Sequence, residues 1–150
     1  MSKKEFLIWL AGFIDGEGSL GISRRGDCGG FKPFLCVINT DRAILEKILR
    51  MFPHGYIQER SRLKSLGSRR CYALNYGKKG GLEILPAVYP YLQVKKQQAD
   101  LILNFPTARY IHLEGGGRKV DEETRKLQEK IYLESRKLNS GLNSQLGFKV

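Results

Sequence analysis

Two carboxylates stand close together near the start of the chain, in the segment Leu10-Ala-Gly-Phe-Ile-Asp-Gly-Glu-Gly18. Asp15 and Glu17 follow an apolar stretch, and the glycines beside them allow another backbone to approach closely. Asp and Glu oxygens suit Mg²⁺, and divalent cations activate water and stabilise the leaving oxygen in phosphodiester hydrolysis. One acid at one helix end is a poor metal site, whereas two copies related by a two-fold axis would put two acids side by side. A helix that simply stops at Gly16-Glu-Gly18 with a solvated acid fits these residues equally well.

The segment that leads to these acids is predicted to be a helix over residues 3–15, and Ser2 and Glu5 have the spacing of a capping box at its start. Its apolar residues cover nearly the whole circumference, which predicts burial on two sides. Gly12 and Gly16 lie on one face, where no side chain would keep a second helix away. We therefore predict that this helix packs against its own copy in a homodimer, through Leu7, Ala11, Gly12, Asp15 and Gly16.

The rest of the chain alternates short strand patterns with helix patterns. Period-2 alternation predicts four strands, over residues 19–25, 32–38, 56–62 and 70–76. Helix patterns cover residues 42–52, 82–89, 94–105 and 121–138, and the glycine-rich segment 114–118 is predicted to be a flexible connection. The order α-β-β-α-β-β-α-α indicates an α+β domain with a sheet covered by helices.

Side chains alternate between the two faces of a strand, so the predicted strands have an inward and an outward set. The inward set is Leu20, Ile22, Leu35, Val37, Ile57, Tyr72 and Leu74. The outward set is Ser23, Arg25, Lys32, Gln58, Arg60, Arg62 and Asn75. An ordinary solvated face would mix Glu with Lys, whereas this set has no acid and consists of types that contact bases and phosphates. We therefore predict a nucleic-acid-binding face made of this outward set together with Tyr56, Arg69 and Arg70.

Positive charge is concentrated in the same part of the chain. The formal net charge is +11, and residues 20–80 contain thirteen basic and four acidic residues, while residues 120–138 contain five of each. A basic stretch favours a polyanionic partner, nucleic acid first. Charge alone would also suit an RNA-binding protein.

Other kinds of site have little support in the sequence. The three cysteines include no C-x-x-C pair and the two histidines stand apart, so we expect free thiols, no zinc site and no small-molecule cofactor. The longest apolar run, Phe6 to Ala11, is far shorter than the roughly 20 residues of a membrane span. We expect a soluble intracellular protein, in the cytoplasm or an organelle of its host, with no membrane partner.

Residues 10–18 resemble the nine-residue signature of the LAGLIDADG homing endonucleases, matching at the leading Leu-Ala-Gly, both acids and the final Gly. Two further segments are similar to this family: Val37-Ile-Asn-Thr-Asp-Arg42 leading into Ile44-Leu-Glu-Lys-Ile48, and Tyr91-Leu-Gln-Val-Lys-Lys-Gln-Gln-Ala99. The resemblance implies an αββαββα fold whose curved antiparallel sheet forms a saddle in the DNA major groove. The resemblance covers a core over about residues 3–105. From the length of the chain we expect a single domain over residues 1–150, and its C-terminal helical extension over about 106–150 shows no comparable resemblance to the family.

The resemblance also implies a site-specific, intron-encoded endonuclease that cuts both DNA strands with Mg²⁺, with Mn²⁺ as a substitute and Ca²⁺ binding without cleavage. Glu17 matches the metal-binding acid, Gly16 the residue whose main-chain carbonyl helps it, and Lys95 the basic residue near the scissile phosphate. Asn39 and Arg42 fall near the polar residues that order the solvent, in a segment where the family alignment changes length. We assign Asp15 to helix packing or capping.

Single-chain members of this family carry the signature twice, and this chain carries it once. The resemblance therefore implies a symmetric homodimer on a long pseudo-palindromic site in double-stranded DNA. The alternatives are an intron maturase, a cleavage-inactive sequence-specific DNA-binding protein of the same fold, and an RNA-binding protein that would owe nothing to Glu17.

Overall fold

A computed structural model describes residues 1–24, 30–60 and 70–140 of the chain. Its helices are α1 (Lys3–Glu17), α2 (Arg42–Met51), α3 (Lys78–Val88), α4 (Lys96–Leu103) and α5 (Glu122–Asn139). Its strands are β1 (Gly18–Arg24), β2 (Phe31–Asn39), β3 (Gly55–Arg60), β4 (Cys71–Tyr76), β5 (Tyr110–His112) and β6 (Arg118–Val120). A short 3₁₀ turn, Tyr89–Tyr91, follows α3. The predicted α+β class is confirmed.

The first four strands form one antiparallel sheet in the order β1-β2-β4-β3. Its register places Leu20 opposite Leu35, and Leu74 between Val37 and Ile57. Residues that face each other across strands share a face, so these side chains all point to the same side of the sheet. The inward set is confirmed: Leu20, Ile22, Leu35, Val37 and Leu74 are buried, and Ile57 and Tyr72 pack against them half-buried.

Four helices cover this inward face and complete the hydrophobic core. Their buried residues are Phe6, Leu10, Ala11 and Ile14 of α1, Leu45 and Ile48 of α2, Ile84, Leu85 and Val88 of α3, and Ala99 and Ile102 of α4. Each fully buried Leu or Ile side chain stabilises the fold by roughly 1.5–3 kcal/mol. The core therefore fixes which face of the sheet points inward, and these four helices leave the opposite face uncovered.

Local side-chain caps set where the first two helices begin. At α1 the predicted capping box is confirmed, since the Ser2 main-chain N–H donates to Glu5 at 2.6 Å and the Glu5 N–H donates to the Ser2 hydroxyl at 3.2 Å. At α2 the Asp41 carboxylate accepts the N–H of Ala43 at 2.9 Å. These bonds satisfy N–H groups that have no partner within the helix.

Helix α3 begins at Lys78, four residues earlier than predicted, and includes Gly80 and Gly81 in its first half. A Cβ at Gly80 would stand 2.5 Å from the Tyr76 ring and 2.6 Å from the His54 carbonyl oxygen. Glycine therefore serves close packing of the helix on the sheet here, and it does not interrupt the helix. Helix α4 is shorter than predicted, beginning at Lys96 rather than at residue 94.

The predicted flexible connection over residues 114–118 is wrong, since it forms the turn of a hairpin. Strands β5 and β6 pair from Tyr110–Val120 to His112–Arg118. Gly115, Gly116 and Gly117 have φ values of 96°, 86° and 136°, which residues with a Cβ rarely adopt. Strands of three residues are too short to give a period-2 pattern. The glycines were therefore the only signal in this segment, and they indicated a flexible connection.

Helix α5 lies along β1, which is an edge of the sheet. The Ile22 N–H donates to the Ser135 hydroxyl at 3.0 Å, and the Asn139 side chain donates to the Leu20 carbonyl at 3.0 Å. Two backbone groups of this edge strand are thus satisfied by a helix, which protects the edge against pairing with another chain. The tail after residue 140 lies outside the described residues. Among the helices that are described, none has the length and apolar character needed to cross a membrane.

Candidate active site and nucleic-acid interface

Helix α1 ends at Glu17 and passes directly into β1 at Gly18. Gly18 has extended backbone angles, and a Cβ there would lie 2.5 Å from the carbonyl oxygen of Ile14. Only glycine fits this close approach. Because the backbone becomes extended at Gly18, the helix ends before it and the Glu17 side chain stands exposed at its end. Since β1 begins opposite Val37, Glu17 lies at the end of the sheet where β2 finishes.

The Asp15 carboxylate is occupied by its own chain. It accepts the main-chain N–H groups of Gln93, Val94 and Lys95 at 2.7, 3.2 and 3.0 Å. These residues immediately precede α4, and the carboxylate holds them in place before the helix begins. Asp15 therefore ties the end of α1 to the start of α4.

Lys95 completes this connection from the other side. Its ammonium group donates to the main-chain carbonyls of Ile14, at 3.1 Å, and of Asp15. These carbonyls lie in the last turn of α1, where the negative end of the helix dipole favours a cation. Burial lowers the pKa of Lys95, and the nearby carboxylates of Asp15 and Glu17 act in the opposite direction. The cation is thus fixed close to Glu17.

One chain offers few oxygen donors for a metal at this point. With Asp15 engaged, the exposed Glu17 carboxylate and the carbonyl of the exposed Gly16 remain. Across the parts of the chain that the structure describes, no group of three or more His, Cys, Asp or Glu residues could hold a metal ion. The donors present are hard oxygens that suit Mg²⁺, and a second copy of α1 would double their number.

Asn39 and Arg42 lie near the end of β2, and each has a local partner. The Asn39 side-chain oxygen accepts the N–H of Asp41 at 2.8 Å. The Arg42 guanidinium donates to Glu46 at 2.7 Å and lies over the Tyr72 ring. The hydrogen bonds of the described residues include none from either side chain to Glu17 or Lys95, so a solvent-ordering role for Asn39 and Arg42 stays a prediction.

One face of α1 has no covering element in the described structure. Ile8, at 46% exposure, lies on this face with Gly12 and Gly16, and a Cβ at either glycine would have no neighbour within 4 Å. Leu7 is half-buried beside it. Ala11 must be removed from the predicted dimer interface, because it is completely buried in its own core. Because this helix is apolar nearly all round, its sequence does not show which side faces the core. Ile8 was therefore not assigned to the interface.

The face of the sheet opposite the core carries the predicted nucleic-acid-binding residues. Register and accessibility place Ser23, Lys32, Tyr56, Gln58, Arg60 and Asn75 on this outer face. Arg70 directly precedes β4 and is exposed, with its Nε 3.6 Å from Glu59. Arg25, Arg62 and Arg69 lie outside the described residues.

The outer face is less uniformly polar than predicted. Its centre is apolar, because Phe34, Cys36 and Ile38 of β2 point outward together with Cys71 and Ala73 of β4. Both cysteines are free thiols, and burial raises the pKa of Cys36. The polar groups border this apolar strip on β3 and at the far end of β1 and β2. Cys36, Cys71 and Ala73 are themselves buried, so Phe34 and Ile38 are the partly exposed residues of this centre. The margins carry the side chains that could contact phosphates and base edges.

The sequence and the fold of this chain are similar to those of known homing endonucleases. No family model matches the chain. The DNA endonuclease I-CreI of Chlamydomonas reinhardtii is 32% identical over 108 residues, which cover 67% of this chain and 61% of that protein. The chain thus matches less than two thirds of the length of this curated relative.

Two solved structures share the fold over nearly the whole chain. The archaeal intron-encoded homing endonuclease I-Vdi141I, complexed with DNA, gives a TM-score of 0.67 at 17% identity and covers 98% of this chain and 89% of its own. The homing endonuclease I-CvuI, in complex with its target, gives 0.58 at 21% identity and covers 97% and 85%. With the signature at residues 10–18, these similarities show that the chain belongs to the LAGLIDADG homing endonuclease family.

Proposed function

We propose that this protein is a site-specific endonuclease that cuts double-stranded DNA as a homodimer. The observation that carries the proposal is the position of Glu17, which is exposed at the end of α1, beside the half-buried cation of Lys95 and on the helix with the uncovered face. The relative I-CreI is a DNA endonuclease, and the structures of I-Vdi141I and I-CvuI hold DNA.

The glycines of α1 support the homodimer. A glycine inside a helix destabilises it by roughly 0.5–1 kcal/mol relative to alanine. Within the described chain, Gly12 and Gly16 fill no tight contact and need no unusual backbone angle. A second copy of α1 could pack closely against this face because neither glycine has a side chain. The two-fold axis of such a dimer would bring both Glu17 carboxylates together.

The donor set of such a dimer fits a divalent cation that prefers oxygen. Glu17 and the Gly16 carbonyl of each chain would hold Mg²⁺, with waters and DNA phosphates as further ligands. Mg²⁺ supplies Lewis-acid activation of water and stabilises charge at the phosphate. We expect Mn²⁺ to support the same reaction, and Ca²⁺ to support binding without cleavage. I-CvuI has been crystallised on DNA with Ca²⁺ and with Mg²⁺.

Lys95 is suited to act on the scissile phosphate. A lysine ammonium has three N–H donors, and the carbonyls of Ile14 and Asp15 use two of them. The third is free to donate to a phosphate oxygen or to a water next to it. Because the group is half-buried and fixed, its charge acts there without reorganisation. Asn39 and Arg42 would order solvent at the same end of the sheet.

The outer face would bind the DNA on either side of this centre. Strand β1 runs from Gly18, next to Glu17, to Arg24, a distance of about 20 Å at 3.3 Å per residue. This length corresponds to roughly six base pairs. Two such faces, extended by loop contacts, would read a pseudo-palindromic target of about two helical turns.

The test uses a target recovered with the wild-type protein and Mg²⁺ from random duplexes. We expect Glu17→Gln to bind this duplex with wild-type affinity and to cut neither strand, whereas the control Glu129→Gln, on the exposed side of α5, cuts normally. Mg²⁺-dependent cutting by Glu17→Gln would overturn the assignment of Glu17. A wild-type protein that binds a duplex but never cuts it would be the cleavage-inactive binder.

A further inference from the structure

A basic cleft lies at the end of the sheet farthest from Glu17. It is bounded by the start of β2, the β5–β6 hairpin and the first half of α5, and its volume is about 470 Å³. Its cationic lining residues are Lys32, Lys78, Arg118, Lys119 and Arg125. Among its described lining residues there is no Asp or Glu. Five cations without a counter-charge favour an anionic ligand with more than one charge.

The cleft is held in shape by hydrogen bonds of its own. The Asp121 N–H donates to the carbonyl of Arg109 at 2.9 Å, and the Asp121 carboxylate caps α5 at the N–H of Thr124. Gln128 is 3% exposed and donates to the carbonyl of Pro106 at 3.2 Å. Lys78 donates to the hydroxyl of Thr107 at 3.1 Å. The segment 106–109, which leads into the hairpin, is thus tied to α5 and to Lys78 at the start of α3, so the base of the hairpin is held in place before any ligand binds.

The other side of α5 has a different charge pattern. A groove between α4 and α5 is lined by three lysines and three acids: Lys126, Lys130, Lys137, Asp100, Glu129 and Glu134. Cations on that side are balanced, as on an ordinary solvated helix face. The excess positive charge of this region therefore belongs to the cleft.

Lys32 connects the cleft to the outer face of the sheet. It lies opposite Ser23 on that face and also lines the cleft. Along β1 this end is about 20 Å from Glu17, or roughly six base pairs along a duplex. A duplex that lies on the outer face with its scissile phosphate at Glu17 would therefore reach the cleft at the outer end of the half-site.

We propose that this cleft binds backbone phosphates of double-stranded DNA at the outer end of each half-site. The proposal rests on the proposed function, since it needs a duplex on the outer face. Arginine and lysine side chains donate to phosphate oxygens without reading bases. The cleft therefore adds affinity and fixes the register of the duplex, while the sheet reads its sequence.

The test compares two variants that remove the same charge. The cleft variant is Arg118→Ala/Lys119→Ala/Arg125→Ala, and the control is Lys126→Ala/Lys130→Ala/Lys137→Ala, from the α4–α5 groove. All six side chains are exposed, so both variants should fold, which thermal unfolding checks. The probe is a duplex of about 40 base pairs that carries the selected target with one helical turn on each side.

We expect the cleft variant to bind this duplex at least tenfold more weakly than the control. The slope of log affinity against log salt should fall by roughly two or more, since each phosphate contact contributes about 0.9 and the dimer has two clefts. Neutral methylphosphonate linkages at the outer ends of the half-sites should weaken the wild type and the control, but not the cleft variant. Equal binding by the two variants, or equal weakening of all three proteins, would overturn the proposal.

A second probe separates DNA from RNA. If the cleft variant keeps wild-type affinity for the duplex and loses affinity for a single-stranded RNA, the cleft is an RNA site and the proposal is wrong. If the wild-type protein binds the duplex without cutting it, the proposed endonuclease activity is wrong. The affinities of the two variants then still decide whether the cleft binds phosphates. A wild-type protein that binds no duplex overturns both.

Discussion

Asp15 and Lys95 bind each other's main chain across 80 residues of sequence. The Asp15 carboxylate accepts the N–H of Lys95 at 3.0 Å, and the Lys95 ammonium donates to the carbonyl of Asp15. Each side chain thereby satisfies backbone groups at a helix end that would otherwise lack a partner. The pair fixes the end of α1 against the start of α4, and Glu17 is the next acid beyond it.

Removing the Asp15 carboxylate should loosen this connection. We expect Asp15→Ala to lower the free energy of unfolding by about 2 kcal/mol, because three N–H groups lose a charged acceptor. The matched variant Glu17→Ala, two residues away, removes an exposed carboxylate and should change stability by less than about 0.5 kcal/mol. Urea unfolding measures both. Equal effects would show that the Asp15 bonds do not hold α4.

Ser135 tests whether α5 protects the edge of the sheet. In Ser135→Ala the buried N–H of Ile22 loses its acceptor, which should cost about 1–3 kcal/mol and expose β1 to pairing with other chains. Ser140→Ala is the control, because among the described residues that exposed hydroxyl bonds to Lys137 within its own turn. Urea unfolding and light scattering at raised temperature measure the two effects. Wild-type stability in Ser135→Ala would contradict the role of α5.

Tyr76 should make stability depend on alkaline pH. Its hydroxyl donates to the Phe52 carbonyl at 2.9 Å, and burial raises its pKa above the ordinary value of 10.0. The native state therefore keeps the proton longer than the unfolded chain, so this stabilisation is complete below pH 10 and is lost as pH rises toward the folded pKa. Tyr76→Phe should cost about 1 kcal/mol at neutral pH and lose less stability above pH 10. Tyr56→Phe, at an exposed phenol, should keep the wild-type alkaline slope in urea unfolding.

Much of the fold follows from local sequence patterns. Alternation in β1 and β2 assigned Leu20 and Val37 to the core, and the spacing of Ser2 and Glu5 marked the start of α1. Such features depend on neighbours along the chain, and the sequence therefore contains them. Glycines were less informative, since Gly80 lies inside a helix and Gly116 in a hairpin turn.

Only part of the candidate site could be predicted from local sequence patterns. The bonds of Asp15 reach residues 78–80 positions away, and no local pattern reports such contacts. Ala11 was wrongly assigned to the interface and Ile8 was left out of it, because α1 is apolar on nearly every side. The apolar centre of the outer face was also missed, since Cys36 and Ala73 become neighbours of the polar set only through strand pairing.

Arg60 tests the register of the binding face. It lies opposite Cys71 and points outward from β3, so Arg60→Ala should weaken binding of the selected duplex by about 1–3 kcal/mol and relax base preference nearby. Arg50→Ala is the control, because this exposed arginine lies on α2, across the sheet from the outer face. Binding assays on single-base variants of the target measure both. If Glu59→Ala, at a position that points the other way, relaxes base preference while Arg60→Ala does not, the register of the binding face is reversed.

The variant Gly12→Ala distinguishes the stability of the single chain from the stability of the dimer. Gly12→Ala places a methyl group where the described chain has open space, so it should raise intrinsic helix stability by roughly 0.5–1 kcal/mol. The same methyl would stand between two copies of α1 on the proposed axis, where overpacking costs about 1–3 kcal/mol. We therefore expect the dissociation constant of the dimer to rise by about 5- to 150-fold, and cleavage to fall with it.

Gly81→Ala is the matched control for this variant. Gly81 is also helical, and its added Cβ would have Ile102 as its nearest neighbour, at an ordinary 3.7 Å. It should gain helix stability like Gly12→Ala but leave the dimer and cleavage unchanged. Sedimentation over a range of concentrations gives the dissociation constants, and cleavage assays above and below them show whether activity follows the dimer. If Gly12→Ala remains as dimeric as Gly81→Ala, the uncovered face of α1 does not form the interface. The proposed pairing of two Glu17 carboxylates at a two-fold axis would then be wrong.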